Sequence, residues 1–280
     1  MVETARKMYH EISSETGEFI DFMIDHQLMD LENKPGKAST GYMTSLPSLK
    51  APFVFSCFNH TIFDMQVLTH ELGHAFAGYM AMRSQPISDY YSETTDIAEI
   101  HSMSMEQFAY PYAQWFFGDQ ADKFRFAHLQ EALTFVPFGV AVDEFQHICY
   151  ADPQLTPRER TYQWRLLEEK YMPWRRYGND AFMERGGYWY HKLHIYLYPF
   201  YYINYTLTTM GAMEFKKKYA EDKAAAWQDY LNLCKTGGSR SYLETLRYAN
   251  LANPFEAGSV ARACGYAEDI LLRQLAEQEK

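Results

Sequence analysis

The run His70-Glu71-Leu72-Gly73-His74 holds the densest chemistry in the sequence. Apolar residues flank it on both sides, so it reads as part of a helix. Histidines four apart project from one helix face, and both rings can grip one metal ion. Glu71 lies about 100° further round the helix. From there it can take a proton from a water at the metal. This is the His-Glu-x-x-His arrangement of zinc hydrolases, although so short a pattern also occurs by chance on helices that hold no metal. A catalytic zinc normally takes three protein ligands plus a water. Glu99 is the best candidate for the third ligand. Glu106, two turns along the same face, or Asp96 would then accept hydrogen bonds from the zinc histidines. The interleaved Ile97, Ile100, Met103 and Met105 mark this helix as partly buried, and buried carboxylates need partners. The bland alternative is a solvated acidic face.

A second group is His194, Tyr198, Tyr202 and Tyr205, which a continuous helix would set on one face. Packing explains any single tyrosine, and it is the preferred reading for Tyr196 and Tyr201 on other faces. It explains the row poorly, because each buried hydroxyl needs a partner. Asp143 and His147, one turn apart, read as a satisfied polar pair. A rival ligand set also exists. Glu71-x-x-His74 and Glu144-x-x-His147, with Glu99 or Glu106 and Glu18, resemble the donors of a di-iron carboxylate bundle, which would be an oxidoreductase. That set leaves His70 and the tyrosine row without a role. A non-catalytic helical binding module, the third class, predicts no metal.

The elements that must position these residues are mostly helices. Residues 1–32 read as helix, followed by a polar loop over 32–40. Residues 51–58, rich in β-branched and aromatic side chains, read as a short strand. A helix opening at Thr61 and running to about Arg83, stopped before Pro86, carries the paired histidines. The next, capped by Ser92 or Thr94 and reaching about Phe117, carries Glu99 and Glu106. Another spans roughly 119–151 with a bend at Pro137. Thr156-Pro157-Arg158-Glu159 opens a helix with a Thr cap, Pro first and Glu third, and that helix ends near Pro173. Residues 188–219 read as one helix with Pro199 inside, and 222–235, 239–252 and 256–279 as three more. No repeat, low-complexity segment or linker interrupts residues 1–280. The chain reads as one mainly helical unit with a small β element before the metal helix.

Composition narrows the partners. The 280 residues suffice for one large domain with a sizeable core. Lys+Arg 26 against Asp+Glu 36 gives a charge of −10, which argues against binding nucleic acid through phosphates. The four cysteines lie far apart with no Cys-x-x-Cys pair, so a reducing, cytoplasmic compartment is expected. The first residues hold no apolar signal core. The longest stretch with few charges, 193–213, is too polar for a bilayer core that needs about 20 apolar residues, so no membrane partner is expected. The 23 tyrosines point to a broad surface that is apolar yet able to donate hydrogen bonds.

Together these motifs resemble the catalytic half of the thimet-oligopeptidase family of zinc peptidases, in the oligoendopeptidase F branch. Residues 68–76, 96–106 and 194–207 carry the resemblance, which extends to 18–31, 40–44, 143–146 and 253–259. It implies a zincin-like, mainly α catalytic domain that hydrolyses short unstructured peptides with one Zn²⁺ per chain. His70, His74 and Glu99 would be the metal ligands, Glu99 falling 29 residues after His70 as in the family. Glu71 would be the general base. His194, Tyr202 and Tyr205, with Tyr198 beside them, would stabilise the tetrahedral oxyanion. By the same resemblance, residues 36–42 are a candidate loop closing over substrate and strand 51–58 a candidate partner for the peptide backbone; each is equally readable as scaffold. Family members carry a long N-terminal helical region that this sequence lacks. The expectation is half an enzyme, whose other half is a separate chain, a lost domain or a part outside this sequence, and which would be impaired if that half is truly absent.

Overall fold

Ser13 decides how the N-terminal helical stretch divides. Its backbone is extended, and its side chain forms a reciprocal capping box with Thr16. Helix α1 (Val2–Ile12) therefore ends where α2 (Ser14–Asp25) begins. Beyond α2, Gln27 takes left-handed backbone (φ 55°) and the Leu28 N–H donates back to Met23 O, closing the helix end. The chain then enters β1 (Met29–Glu32). The single helix expected over 1–32 is thus two helices and a strand. These features belong to a computed structural model, which describes residues 1–278.

Strands β2 (Tyr42–Leu46) and β3 (Ala51–Phe58) complete a three-stranded sheet in the order β1-β3-β2. β1 runs parallel and β2 antiparallel to β3. The strand read from the sequence is the central one. β2 pairs with it from Ala51 to Phe55, and β1 from Val54 to Phe58. At Val54 and Phe55 both edges of its backbone are occupied, and at 51–53 the β2 side is taken. At 54–55 no edge of this strand is left for a peptide; among the described residues no strand pairs with the β1 side of 51–53 or the β2 side of 56–58.

Helix α3 (Phe63–Ser84) follows directly and is buried almost all round. Leu68, Leu72, Phe76 and Tyr79 join a core with Phe19 and Ile20 of α2, Val54 of β3, and Ile100 and Met105 of α4 (Thr95–Phe108). Helix α4 stops short of the expected Phe117. Pro111, which has no N–H to donate, sits in a 3-10 turn over Tyr110–Tyr112 before the short α5 (Ala113–Phe117). Helix α6 (Ala121–Ala151) carries Pro137, and α7 (Pro157–Tyr171) opens on the expected Thr156/Glu159 capping box. After α8 (Ala181–Glu184) comes a second departure. In place of one helix over 188–219 there are a 3-10 turn (Gly187–His191), α9 (Leu193–Leu197) and α10 (Ile203–Glu221). Pro199 and a left-handed Phe200 (φ 61°) make the break. The Phe200 N–H is satisfied by Gln146 Oε1 at 2.8 Å. Helices α11 (Lys223–Thr236), α12 (Tyr242–Tyr248) and α13 (Ser259–Gln278) complete the chain.

The chain forms two compact units: residues 1–129 with the stretch from 208 onward, and residues 130–207. The first holds the sheet and a core through Phe76, Phe108, Phe215 and Tyr230. The second is built round Trp164, with Phe138, Phe145, Trp189 and Tyr202. Among the described residues no helix is long and apolar enough to cross a membrane, and the four cysteines are free thiols.

Candidate metal centre and active site

Gly73 lets α3 and α4 touch. A Cβ at this position would lie 2.6 Å from the Ser102 Cα and 3.0 Å from the His101 carbonyl oxygen. A side chain of any size would push the two backbones apart. The close crossing carries Glu99 onto the paired histidines. Glu99 Oε2 lies 3.0 Å from His70 Nε2 and 3.4 Å from His74 Nε2. Ser102 Oγ donates to the same oxygen at 3.0 Å. The ligand atoms of His70, His74 and Glu99 all lie within 4.8 Å of one another. Two imidazole nitrogens and a carboxylate at this separation are the donor set of a tetrahedral zinc with its fourth position left open. The residues fit the ion that the sequence implies.

The same groups also pair with one another electrostatically. Burial alone would push the His70 imidazole down. Glu106 at Nδ1 and Glu99 at Nε2 outweigh it and hold His70 well above its usual value. Burial would likewise raise both acids, but His70 and His74 keep Glu99 well below the usual carboxylate range. His128 and His70 hold Glu106 at about 2. His70 Nδ1 lies 2.6 Å from Glu106 Oε1. An ionised carboxylate only accepts, so Nδ1 carries a proton toward Glu106, and Nε2, which faces Glu99, is the nitrogen that would give up its proton to a metal. Of the two acceptors considered from sequence, Glu106 holds the histidine, whereas Asp96 accepts from Thr94 at the start of α4.

Glu71 is buried next to this group, and burial pushes its carboxyl up. Gly41 sits against it: a Cβ there would lie 3.0 Å from Glu71 Oε1 and 3.2 Å from Val67 Cγ1. Within the segment 36–42, Gly41 thus backs onto the carboxylate, a contact that has no signal in the sequence.

The second unit gathers His194, Tyr198, Tyr202 and Tyr205, but not on one helical face. The break at Pro199 and Phe200 folds them into a cluster. The His194 ring centroid lies 5.1 Å from that of Tyr202, 5.9 Å from Tyr205, 6.1 Å from Tyr201 and 6.3 Å from Tyr198. Tyr201, read from sequence as packing on another face, stacks on His194. Only an unbroken 3.6-residue period would turn it away, and Pro199 is the signal against such a period. Tyr202 is buried against Phe135 and Phe138, Tyr198 is 59% exposed, and Tyr196 is half exposed rather than packed inside. Burial and the nearby Lys192 charge push the His194 imidazole below its usual value. A neutral ring keeps one N–H as a donor.

The rival di-iron donors are spent elsewhere. Glu144 accepts from Lys170 Nζ at 2.8 Å and from the Tyr171 hydroxyl, and Glu18 accepts from Tyr79 at 2.8 Å. His147 Nε2 lies 3.3 Å from Asp143 Oδ2, the polar pair expected from their spacing. Among the described residues, His70, His74 and Glu99 form the one group able to hold a metal.

Known proteins resemble this chain over most of its length. A solved structure bearing the name oligoendopeptidase F is 51% identical with a TM-score of 0.89, over 96% of this chain and 48% of that one. PZ peptidase A, solved with an inhibitor, is 49% identical with a TM-score of 0.89, over 97% of this chain and 48% of that one. The oligoendopeptidase F homolog of Borreliella burgdorferi is 23% identical over 229 residues, which is 80% of this chain and 38% of that protein. The chain thus spans less than half the length of these relatives. The model of peptidase family M3 matches residues 3–264, nearly the full sequence, and the chain belongs to that family.

Proposed function

We propose that this chain is the catalytic portion of a cytoplasmic, zinc-dependent oligoendopeptidase that cleaves short unstructured peptides. The observation that carries the reading is the convergence of His70, His74 and Glu99 within 4.8 Å beside the buried Glu71. Membership of the family and the names of its relatives support it. His70 Nε2, His74 Nε2 and Glu99 Oε2 would hold one zinc ion. When bound, that ion supplies Lewis acidity to a water and to the scissile carbonyl. Glu71 takes the proton of the attacking water on a carboxylate oxygen and hands it to the leaving amine. Its burial suits the task, because desolvation raises the carboxyl and so favours its holding the proton it takes. Glu106 fixes the tautomer and ring orientation of His70. The N–H of His194 and the hydroxyls of Tyr202 and Tyr205, with Tyr198 beside them, are the proposed donors to the oxyanion. The relatives extend beyond the part this chain matches, and a polypeptide supplying that remainder is the proposed partner.

Metal analysis joined to cleavage of a quenched-fluorescent peptide tests the reading. One zinc per chain, loss of cleavage in a chelator and its return with added zinc are expected. Full activity in excess chelator, or two irons per chain, would overturn it.

A further inference from the structure

Glu106 holds His70 with one of its oxygens, and the other is held just as closely. Glu106 Oε2 lies 2.6 Å from His128 Nε2, and His128 Nδ1 lies 2.6 Å from the Tyr110 hydroxyl. With the 2.6 Å contact to His70, this makes a continuous chain His70–Glu106–His128–Tyr110. It runs from α3 through α4 to α6 and back to the 3-10 turn that follows α4. Glu106, His128 and Tyr110 are all buried. The chain is fixed along its length: Phe124 stacks on the His128 ring (interplanar 10°), Arg125 Nε donates to Tyr110 O at 3.0 Å, and Lys216 Nζ lies 3.5 Å from the Tyr110 ring centroid.

We propose that His128 and Tyr110 are positioning residues for the metal-binding nitrogen of His70, acting through Glu106. The proposal rests on the reading of His70 as a zinc ligand. A carboxylate bonded through one oxygen can swing about its χ angles, and one bonded through both oxygens to rings that are themselves packed cannot. The acceptor at His70 Nδ1 then stays in place, and Nε2 stays aimed at the ion. Were His128 absent, Oε2 would be a buried acceptor with no donor, a state relieved by turning the carboxylate away from His70. Tyr110 sets the tautomer of His128. Its hydroxyl on Nδ1 leaves Nε2 as the His128 nitrogen that donates to Glu106.

The test measures zinc affinity by competition with a chromophoric chelator, and the visible spectrum of the Co²⁺-loaded protein, for the wild type, Tyr110→Phe, His128→Phe and His128→Gln. The expected loss of affinity is about tenfold to a hundredfold for His128→Phe and smaller for Tyr110→Phe, in line with substitutions in the outer shell of other metal sites. Shifted Co²⁺ bands should accompany it. His128→Gln, whose amide can still donate to Oε2, should recover most of the affinity. Tyr110→Phe keeps the ring beneath Lys216 and removes a single oxygen, so it carries the test where His128→Phe does not fold. A wild type that binds no zinc would overturn the ligand reading and this proposal together. A wild type that binds one zinc, with Tyr110→Phe and the folded His128 variants matching it in affinity and spectrum, would overturn this proposal alone.

Discussion

Glu71 must be both chemically able and correctly placed, and two substitutions separate these demands. Glu71→Gln keeps the shape and burial of the side chain but cannot accept a proton. It should bind zinc like the wild type and lose roughly 10²- to 10⁴-fold in kcat/KM on a fluorogenic peptide. Turnover close to wild type in a metal-loaded Glu71→Gln protein would remove Glu71 as the base. Gly41→Ala leaves the chemistry intact and presses a methyl group 3.0 Å from Oε1. Displacing a catalytic group by a fraction of an ångström should lower kcat about tenfold while KM and zinc content hold; an unchanged kcat would show that the loop does not constrain the carboxylate. The paired histidines, Glu71 and the shared face of Glu99 and Glu106 were legible in the sequence, because helical period is local, whereas the meeting of Glu99 with the histidines was an expectation from the resemblance. The sequence did not announce Gly41 or Tyr201. Their positions depend on a loop path and a helix break, which no period reports.

Among the elements, the α3–α4 crossing matters most, and glycines on α3 test it with a built-in control. Gly73 and Gly78 both lie inside the helix, where alanine is favoured by up to about 1 kcal/mol. At Gly78 a Cβ would meet nothing closer than 3.5 Å, an ordinary contact with Met43 and Ser45, so Gly78→Ala should be neutral or stabilising. At Gly73 the Cβ would meet backbone at 2.6 Å. Gly73→Ala should therefore destabilise by about 1–3 kcal/mol in urea unfolding and weaken zinc binding by drawing Glu99 away from His70 and His74. Equal behaviour of the two variants would show that the close crossing does not position the third ligand. Both helices were legible from sequence, and so was the Thr156 cap. The strands β1 and β2 were not. They are four and five residues long with mixed polarity, and they become strands through their pairing with β3.

At the scale of the molecule, the division into two units had no trace in the composition, because its boundaries at 129/130 and 207/208 fall inside the continuous helices α6 and α10. Helical pattern and apolar content run through both boundaries, so nothing there resembles a linker. Global stability offers a sharper handle, through a charge the fold does not favour. Lys216 lies in the first unit over the Tyr110 ring, whose face stabilises a cation. Burial and the neighbouring Arg125 charge oppose this and push the amine from 10.5 down to about 7. Between about pH 7 and 10.5 the unfolded chain holds the Lys216 proton more tightly than the folded one, so this group makes stability rise with pH across that window. Below it both states are protonated and the penalty is constant. Lys216→Met removes the penalty. The variant should be more stable than the wild type by on the order of 2 kcal/mol at pH 6, since a tenfold weaker hold on the proton costs about 1.4 kcal/mol before water access and the ring contact reduce it. The advantage should shrink steadily as the pH is raised toward 10. Urea unfolding of both proteins at intervals from pH 6 to 10 measures the difference directly. A difference that stays flat across this range would show that Lys216 keeps an ordinary amine value in the folded protein.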